Sequence, residues 1–133
     1  MTNITTVILA AGNSTRFKAN KSKLLYPLCG LPIISHIFNV AKKISGKNII
    51  VICNNKNINQ LKSILKDCTF VIQKQQKGTA NAIDQVKNKI NTKNLLILFG
   101  DTPLVEIASI KKLIKNFIKS KVKASLIAFR TLN

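Results

Sequence analysis

The sequence predicts an α/β chain: a three-layer α/β/α sandwich around a mostly parallel sheet. Three observations carry that expectation. Apolar runs rich in Ile, Val and Leu recur at residues 5–9, 48–53, 69–72, 94–99 and 123–129 without clean alternation, as in strands buried on both faces of a parallel sheet. Segments with helical spacing of apolar residues lie between most of these runs. Polar, glycine-containing stretches directly follow the first, third and fourth runs.

Taken in order, residues 5–9 form the first strand. Residues 12–30 are the irregular part, and a connection that long in a compact domain usually serves function. Pro32 stands where a helical turn can start, because its fixed φ suits the first turn and its missing N–H is no loss there. Behind it Ile33, Ile34, Ile37, Val40, Ala41 and Ile44 form one apolar face, and His36 within that helix reads as structural. After the strand at 48–53, residues 57–65 repeat the pattern with Ile58, Leu61, Ile64 and Leu65. Residues 79–90 follow the strand at 69–72 with a weaker face of Ala82, Ile83, Val86 and Ile90. The strand at 94–99 leads to a helix at 107–120 built on Ile110, Leu113, Ile114, Phe117 and Ile118. A last strand is expected at 123–129. Strand–helix alternation of this kind implies right-handed crossovers. With no internal repeat and no Pro/Gly/Ser-rich linker, residues 1–133 read as one domain.

Composition excludes several classes. No apolar run reaches membrane-spanning length, and residues 1–10 lack the basic start of a signal peptide. The expectation is a cytoplasmic chain with no membrane partner. Cys29, Cys53 and Cys68 form no Cys-x-x-Cys and have a single histidine for company. A zinc site or disulfide framework is therefore not expected, and they read as buried small hydrophobes. Lys and Arg number 22 against 4 Asp and Glu, a net charge of +18. Such a field attracts polyanions and would concentrate nucleotides. The lysines are spread from Lys18 to Lys123, arginine is confined to Arg16 and Arg130, and aromatic content is 5%. That pattern reads as compositional bias with few stacking platforms, so nucleic acid is not the expected partner.

The chemistry concentrates at residues 7–23. An apolar strand ends in Ala10-Ala11-Gly12, and a small polar loop with Arg16, Lys18, Lys21 and Lys23 follows. Small residues let the main chain approach a ligand, with loop N–H groups facing phosphate oxygens. Arginine and lysine supply the matching cations. The spacing is neither Gly-x-x-x-x-Gly-Lys-Ser/Thr nor Gly-x-Gly-x-x-Gly. Ligands of parallel α/β sheets bind beyond the carboxyl ends of the strands, so the three polar connections converge on one cleft. Asp101 is one of only four acids. Placed after an apolar strand and beside Gly100, it calls for a cation, and Mg²⁺ is the natural one because it prefers oxygen ligands and bridges phosphates. The alternative is an Asp that begins a turn before Pro103.

Three ordered stretches resemble the signature of sugar-phosphate nucleotidyltransferases. They are Leu9-Ala-Ala-Gly-Asn-Ser-Thr-Arg-Phe17 with Lys23, then Gln73-Lys-Gln-Gln-Lys-Gly-Thr-Ala80, then Leu96-Ile-Leu-Phe-Gly-Asp-Thr-Pro-Leu104. The likeness is greatest to the uridylyltransferase part of bifunctional N-acetylglucosamine-1-phosphate uridylyltransferases. It implies a nucleotide-diphospho-sugar transferase fold of Rossmann-like type. It also implies transfer of UMP from UTP to N-acetylglucosamine-1-phosphate, giving UDP-N-acetylglucosamine and pyrophosphate with Mg²⁺ as cofactor. Carried over by position, Arg16 and Lys23 are the catalytic phosphate-binding cations. Leu9, Ala10, Ala11, Gly12, Gln73, Gly78, Thr79, Phe99 and Gly100 bind the nucleotide, and Asp101 holds the metal. The amide of Gln73 has the donor and acceptor a pyrimidine edge needs; Thr79 also suits a helix cap. Ser14, Ser22 and Phe99 stand where the family carries Gly, Pro and commonly Tyr, and Lys18 or Lys21 could serve in place of Lys23. Members of this family continue well beyond 133 residues. The resemblance therefore implies a domain incomplete on its C-terminal side, without most sugar contacts or a second metal-ligating Asn, whose acceptor site another chain would complete. A nucleotide-binding module without independent catalysis and a sibling guanylyl- or cytidylyltransferase are the alternatives.

Overall fold

The computed structural model describes residues 3–12, 22–75 and 77–128. Its strands are β1 (Ile4–Leu9), β2 (Pro27–Leu28), β3 (Leu31–Pro32), β4 (Ile49–Cys53), β5 (Thr69–Ile72) and β6 (Asn94–Phe99). Its helices are α1 (Ile33–Ser45), α2 (Ile58–Ile64), α3 (Thr79–Asp84) and α4 (Ile107–Lys119). The four longer strands form one parallel sheet in the order β5-β4-β1-β6. β1 lies inside it, with Val7 opposite Ile50 on one side and Ile97 on the other.

The sheet separates two apolar layers. On one face Ile4, Ile8, Val51 and Leu98 meet Ile34, Ile37 and Ala41 of α1, Leu61 of α2 and Ile110 of α4. On the other face Val7, Ala11, Ile50 and Ile52 meet Ala82 of α3 and Val86. Helices thus cover both faces, as expected for the three-layer class, but unequally. β6 is consequently not buried on both faces: Leu96 and Leu98 are buried, whereas Ile97 and Phe99 are 40% and 50% exposed. Thr6 lies within the buried strand β1 because its hydroxyl hydrogen-bonds the Ser45 hydroxyl at 2.6 Å. His36 is structural: its Nε2–H donates to the Leu28 carbonyl at 2.8 Å, tying α1 to the β2–β3 hairpin.

Four local expectations change. Residues 12–30 are not wholly irregular, because a 3-10 turn at Lys23–Leu25 and β2 fall within them. The third helix ends at Asp84 and yields to a 3-10 turn at Lys87–Lys89; a face with only Ala82 buried inside the helix gains too little burial to propagate it. Residues 123–128 form no strand. Their composition suits a ladder, but their side chains are exposed, Leu126 by 78% and Ile127 by 50%, so no burial offsets the cost of ordering them; Phe129 lies outside the described residues. Cys29 is exposed in the hairpin turn at φ 49, while Cys53 is buried and Cys68 partly buried, and all three are free thiols.

Candidate functional site

Parallel pairing brings the carboxyl ends of all four sheet strands to one edge. Leu9 pairs with Ile52 and Phe99, and Cys53 pairs with Ile72. The ladder then runs one residue into three connections. The N–H of Ala10 donates to Ile52 at 2.7 Å, that of Gly100 to Leu9 at 3.0 Å, and that of Gln73 to Cys53 at 2.8 Å. Leu9, Ala10, Gln73 and Gly100 are thus brought to one sheet edge. The chain leaves β1 toward β4, whereas β6 lies on the opposite side of β1. A change of direction of this kind opens a crevice outside the strand ends.

Each connection is shaped by its own chemistry. Ala10 and Ala11 are buried, and a Cβ on Gly12 would meet nothing within 4 Å among the described residues. A Cβ on Gly100 would lie 3.1 Å from the Leu9 carbonyl oxygen, so glycine there lets β6 close tightly on β1. Phe99 is half-exposed at the rim, and its carbonyl accepts from the Thr102 hydroxyl at 2.8 Å, closing the turn that presents Asp101. Gly78 has φ +90 and ψ 179, a backbone region that only glycine occupies without strain. It takes the cap position of α3, so Thr79 is the first helical residue and not the cap, and Thr79 is exposed. The Gln73 amide Nε2 faces Asn81 Oδ1 at 3.4 Å.

Lys23 and Asp101 meet. Nζ and Oδ2 are 2.6 Å apart across 78 residues of sequence. Leu24 and Leu25, both buried, anchor the 3-10 turn that carries Lys23, so apolar burial fixes the turn where a proline is absent at Ser22. The Ser22 hydroxyl beside it is buried with no hydrogen-bond partner among the described residues. Arg16 lies outside the described residues, as do Ser14, Lys18 and Lys21. No group of three metal-ligating side chains occurs among the described residues. A single carboxylate still suits Mg²⁺, which keeps waters and takes phosphate oxygens beside one or two protein ligands. Asp84 and Glu106 are exposed, and Asp84 pairs with Lys87 at 2.8 Å.

Two residues of this region were not legible as site elements. Asn57 is buried, and its Nδ2 donates to the Ala10 carbonyl at 2.8 Å while its Oδ1 accepts from the Asn54 N–H at 3.0 Å. Asn54 Nδ2 donates to the Ala11 carbonyl at 2.9 Å. Together they clamp the backbone that leads into Gly12. The signal was Asn54-Asn-Lys-Asn57 after a fully apolar strand, which resembles an ordinary polar turn.

Fold and strand-end cleft define an α/β protein with a ligand crevice beyond the carboxyl ends of its parallel strands. The family model of the MobA-like NTP transferase domain matches residues 6–131, and the chain belongs to that family. The bifunctional protein GlmU of Buchnera aphidicola is 43% identical over 113 residues, covering 83% of this chain and 24% of that protein. The Campylobacter fetus GlmU is 40% identical over 137 residues, 100% of this chain and 30% of its own length. The chain therefore spans less than a third of the length of these relatives. Among solved structures, a putative glucose-1-phosphate thymidylyltransferase from Bacillus anthracis in complex with a sucrose superposes with TM-score 0.79 at 20% identity, over 89% of this chain and 51% of that one. The bifunctional IspDF of Campylobacter jejuni gives TM-score 0.75 at 21% identity, over 96% and 36% of the respective chains. At those identities the likeness is one of fold. No helix among the described residues is long and apolar enough to cross a membrane.

Proposed function

We propose that the chain binds UTP at the carboxyl ends of β1, β5 and β6 and serves transfer of UMP to N-acetylglucosamine-1-phosphate. The observation that carries the reading is the apposition of Lys23 and Asp101 at 2.6 Å. It sets one fixed cation and one carboxylate side by side, and a carboxylate there would suit a metal ion beside the phosphates of a bound nucleotide. Gly12, Gln73, Gly78 and Thr79 would hold the uridine, with Leu9, Ala10, Ala11, Phe99 and Gly100 forming the walls.

In the transfer, a phosphate oxygen of the sugar-1-phosphate attacks the α-phosphorus of UTP. The bond from that phosphorus to the bridging oxygen breaks, and pyrophosphate leaves. No covalent nucleophile on the protein is required. The chain's part is to place two anions in line and to offset the charge that develops. Lys23, and Arg16 by its motif position, would donate to the phosphate oxygens. Asp101 would hold Mg²⁺, which supplies charge neutralisation of the triphosphate when bound. Lys23 and Asp101 satisfy each other at 2.6 Å, and both would exchange that bond for phosphate oxygens and the metal when the nucleotide binds.

A second reading is a nucleotide-binding module without independent catalysis. Calorimetric titration with UTP, with and without Mg²⁺, tests both against Asp101→Ala and Arg16→Ala. Magnesium-dependent binding that weakens in both variants supports the shared nucleotide site. Pyrophosphate release with N-acetylglucosamine-1-phosphate then separates an active enzyme from a binding module. Absence of UTP binding at millimolar concentration by the folded chain defeats both readings.

A further inference from the structure

An unbroken chain of side-chain amides runs from the backbone of residue 74 to Gln73. The N–H of Lys74 donates to Gln85 Oε1 at 3.3 Å. Gln85 Nε2 donates to Asn81 Oδ1 at 3.0 Å. That same Oδ1 faces Gln73 Nε2 at 3.4 Å. A side-chain amide can ordinarily turn over and exchange its donor for its acceptor. Here the first member of the series cannot, because a backbone N–H is only a donor. It commands the oxygen of Gln85, which turns the Gln85 nitrogen toward Asn81. Asn81 must answer with oxygen, and Gln73 must answer that with nitrogen. Reversing any one amide sets two acceptors or two donors against each other.

We infer that Asn81 and Gln85 are positioning residues that lock the Gln73 amide in the one orientation that reads uracil and rejects cytosine. The inference rests on the nucleotide reading proposed above and deepens it. Uracil presents N3–H as a donor beside the O4 acceptor. Cytosine presents the N4 amino group as a donor beside the N3 acceptor. An amide that turns over can satisfy either base, donating and accepting in exchanged places. An amide with one hydrogen held by Asn81 offers its oxygen and remaining N–H in a single order. Fixed donors and acceptors reject the mismatched partner because polar groups that the base covers on binding are left unpaired. Asn81 and Gln85 are spaced i, i+4, so one short helical segment carries both. The cavity of about 450 Å³ beside them, lined by Val71, Ile72, Lys74, Gln75, Asn81 and Gln85, leaves room for substitution without overpacking.

The test compares the dissociation constants of UTP and CTP for the whole chain by calorimetry, alongside NMR of the side-chain amides in nucleotide-free protein. In the wild type the Gln73 and Gln85 amide protons are expected to exchange slowly with water, and UTP to be preferred by roughly 5- to 150-fold, the worth of one bidentate amide–base pair. Asn81→Leu removes the acceptor and is expected to speed exchange at Gln73 and bring the two affinities within roughly 3-fold. Asn81→Asp keeps an acceptor for both amides and restores the preference. Gln85→Glu retains the bond from Lys74 but shows Asn81 an acceptor; Asn81 and then Gln73 turn over, and the preference shifts toward CTP. Fast exchange at Gln73 and Gln85 in the wild type overturns the relay, as does an Asn81→Leu variant that folds and still selects UTP as the wild type does. A slowly exchanging relay in a wild-type chain that binds neither nucleotide overturns the nucleotide reading, and the base-selecting role falls with it.

Discussion

Replacing Asn57 with leucine tests whether the β4–α2 turn supports the backbone that leaves β1 toward Gly12. Asn57 is 2% exposed, and its amide makes two bonds to backbone: 2.8 Å to the Ala10 carbonyl and 3.0 Å from the Asn54 N–H. Leucine has nearly the same shape and fills the same space, so no cavity forms. The loss is confined to two backbone groups left without this partner. Each orphaned group costs about 1–3 kcal/mol, partly offset by the added apolar burial, for a net loss of about 3 kcal/mol. For a domain of this size that lowers the melting temperature by on the order of 10 °C. Urea unfolding of Asn57→Leu against wild type measures it. Ser63→Ala serves as the control, because the Ser63 hydroxyl bonds the Gln60 carbonyl at an exposed helix position and its loss is expected to cost no more than about 0.5 kcal/mol. UTP affinity is expected to fall as well, since Ala10 and Ala11 lead into Gly12. A variant within about 0.5 kcal/mol of wild type, with unchanged UTP affinity, refutes the clamp.

Three further outcomes are expected. Lys23→Met leaves stability within about 0.5 kcal/mol, because the Lys23–Asp101 pair is partly exposed and such pairs contribute little, yet it weakens UTP binding about tenfold or more; equal effects on both in unfolding and calorimetry would argue for a purely structural pair. Gly78→Ala and Gly100→Ala each destabilise by about 1–3 kcal/mol for different reasons, the first from a φ of +90 and the second from a Cβ 3.1 Å from the Leu9 carbonyl oxygen; that oxygen is backbone, so a smaller residue at Leu24 or Ile34 is expected to give Gly100→Ala no recovery, and chemical denaturation of the single and paired variants checks this. Burial pushes the Cys68 thiol up to about 11 from an ordinary value of 9.0 and raises the Cys53 thiol as well. The folded chain therefore holds more protons than the unfolded one between pH 9 and about 11, so stability falls as pH rises across that window. At pH 8 a thiol reagent is expected to modify exposed Cys29 first, and rapid modification of Cys68 would contradict the burial.

Strand composition was legible wherever a strand lies inside the sheet. Runs such as Ile49–Cys53 have one reading in water, because five consecutive buried apolar residues need cover on both faces. Lys123–Ala128 carries similar residues and forms no strand, because composition states a willingness to pair and the ladder needs a neighbour. The third helix is shorter than its apolar spacing predicts for a related reason. Its apolar spacing continues to Ile90, but only Ala82 within the helix is buried.

The candidate site divides in the same way. Gly12, Gln73, Gly78 and Asp101 stand out in the sequence because glycine, amide and a rare acid after apolar strands are local signals, visible within a few residues. Asn57 carries no such signal. A helix-start Asn ordinarily caps its own helix, yet here its side chain makes no cap bond and reaches Ala10, 47 residues away. The orientation of Gln73 depends likewise on Asn81 and Gln85, which periodicity places on a helix without saying which way an amide faces. The layers, the strand ends and the chemical types gathered there are legible along the chain, because burial and turn chemistry act over short stretches. Which amide holds which carbonyl, and that Lys23 answers Asp101, emerges only in the folded protein, because those contacts depend on directions set by the packing of the whole sheet.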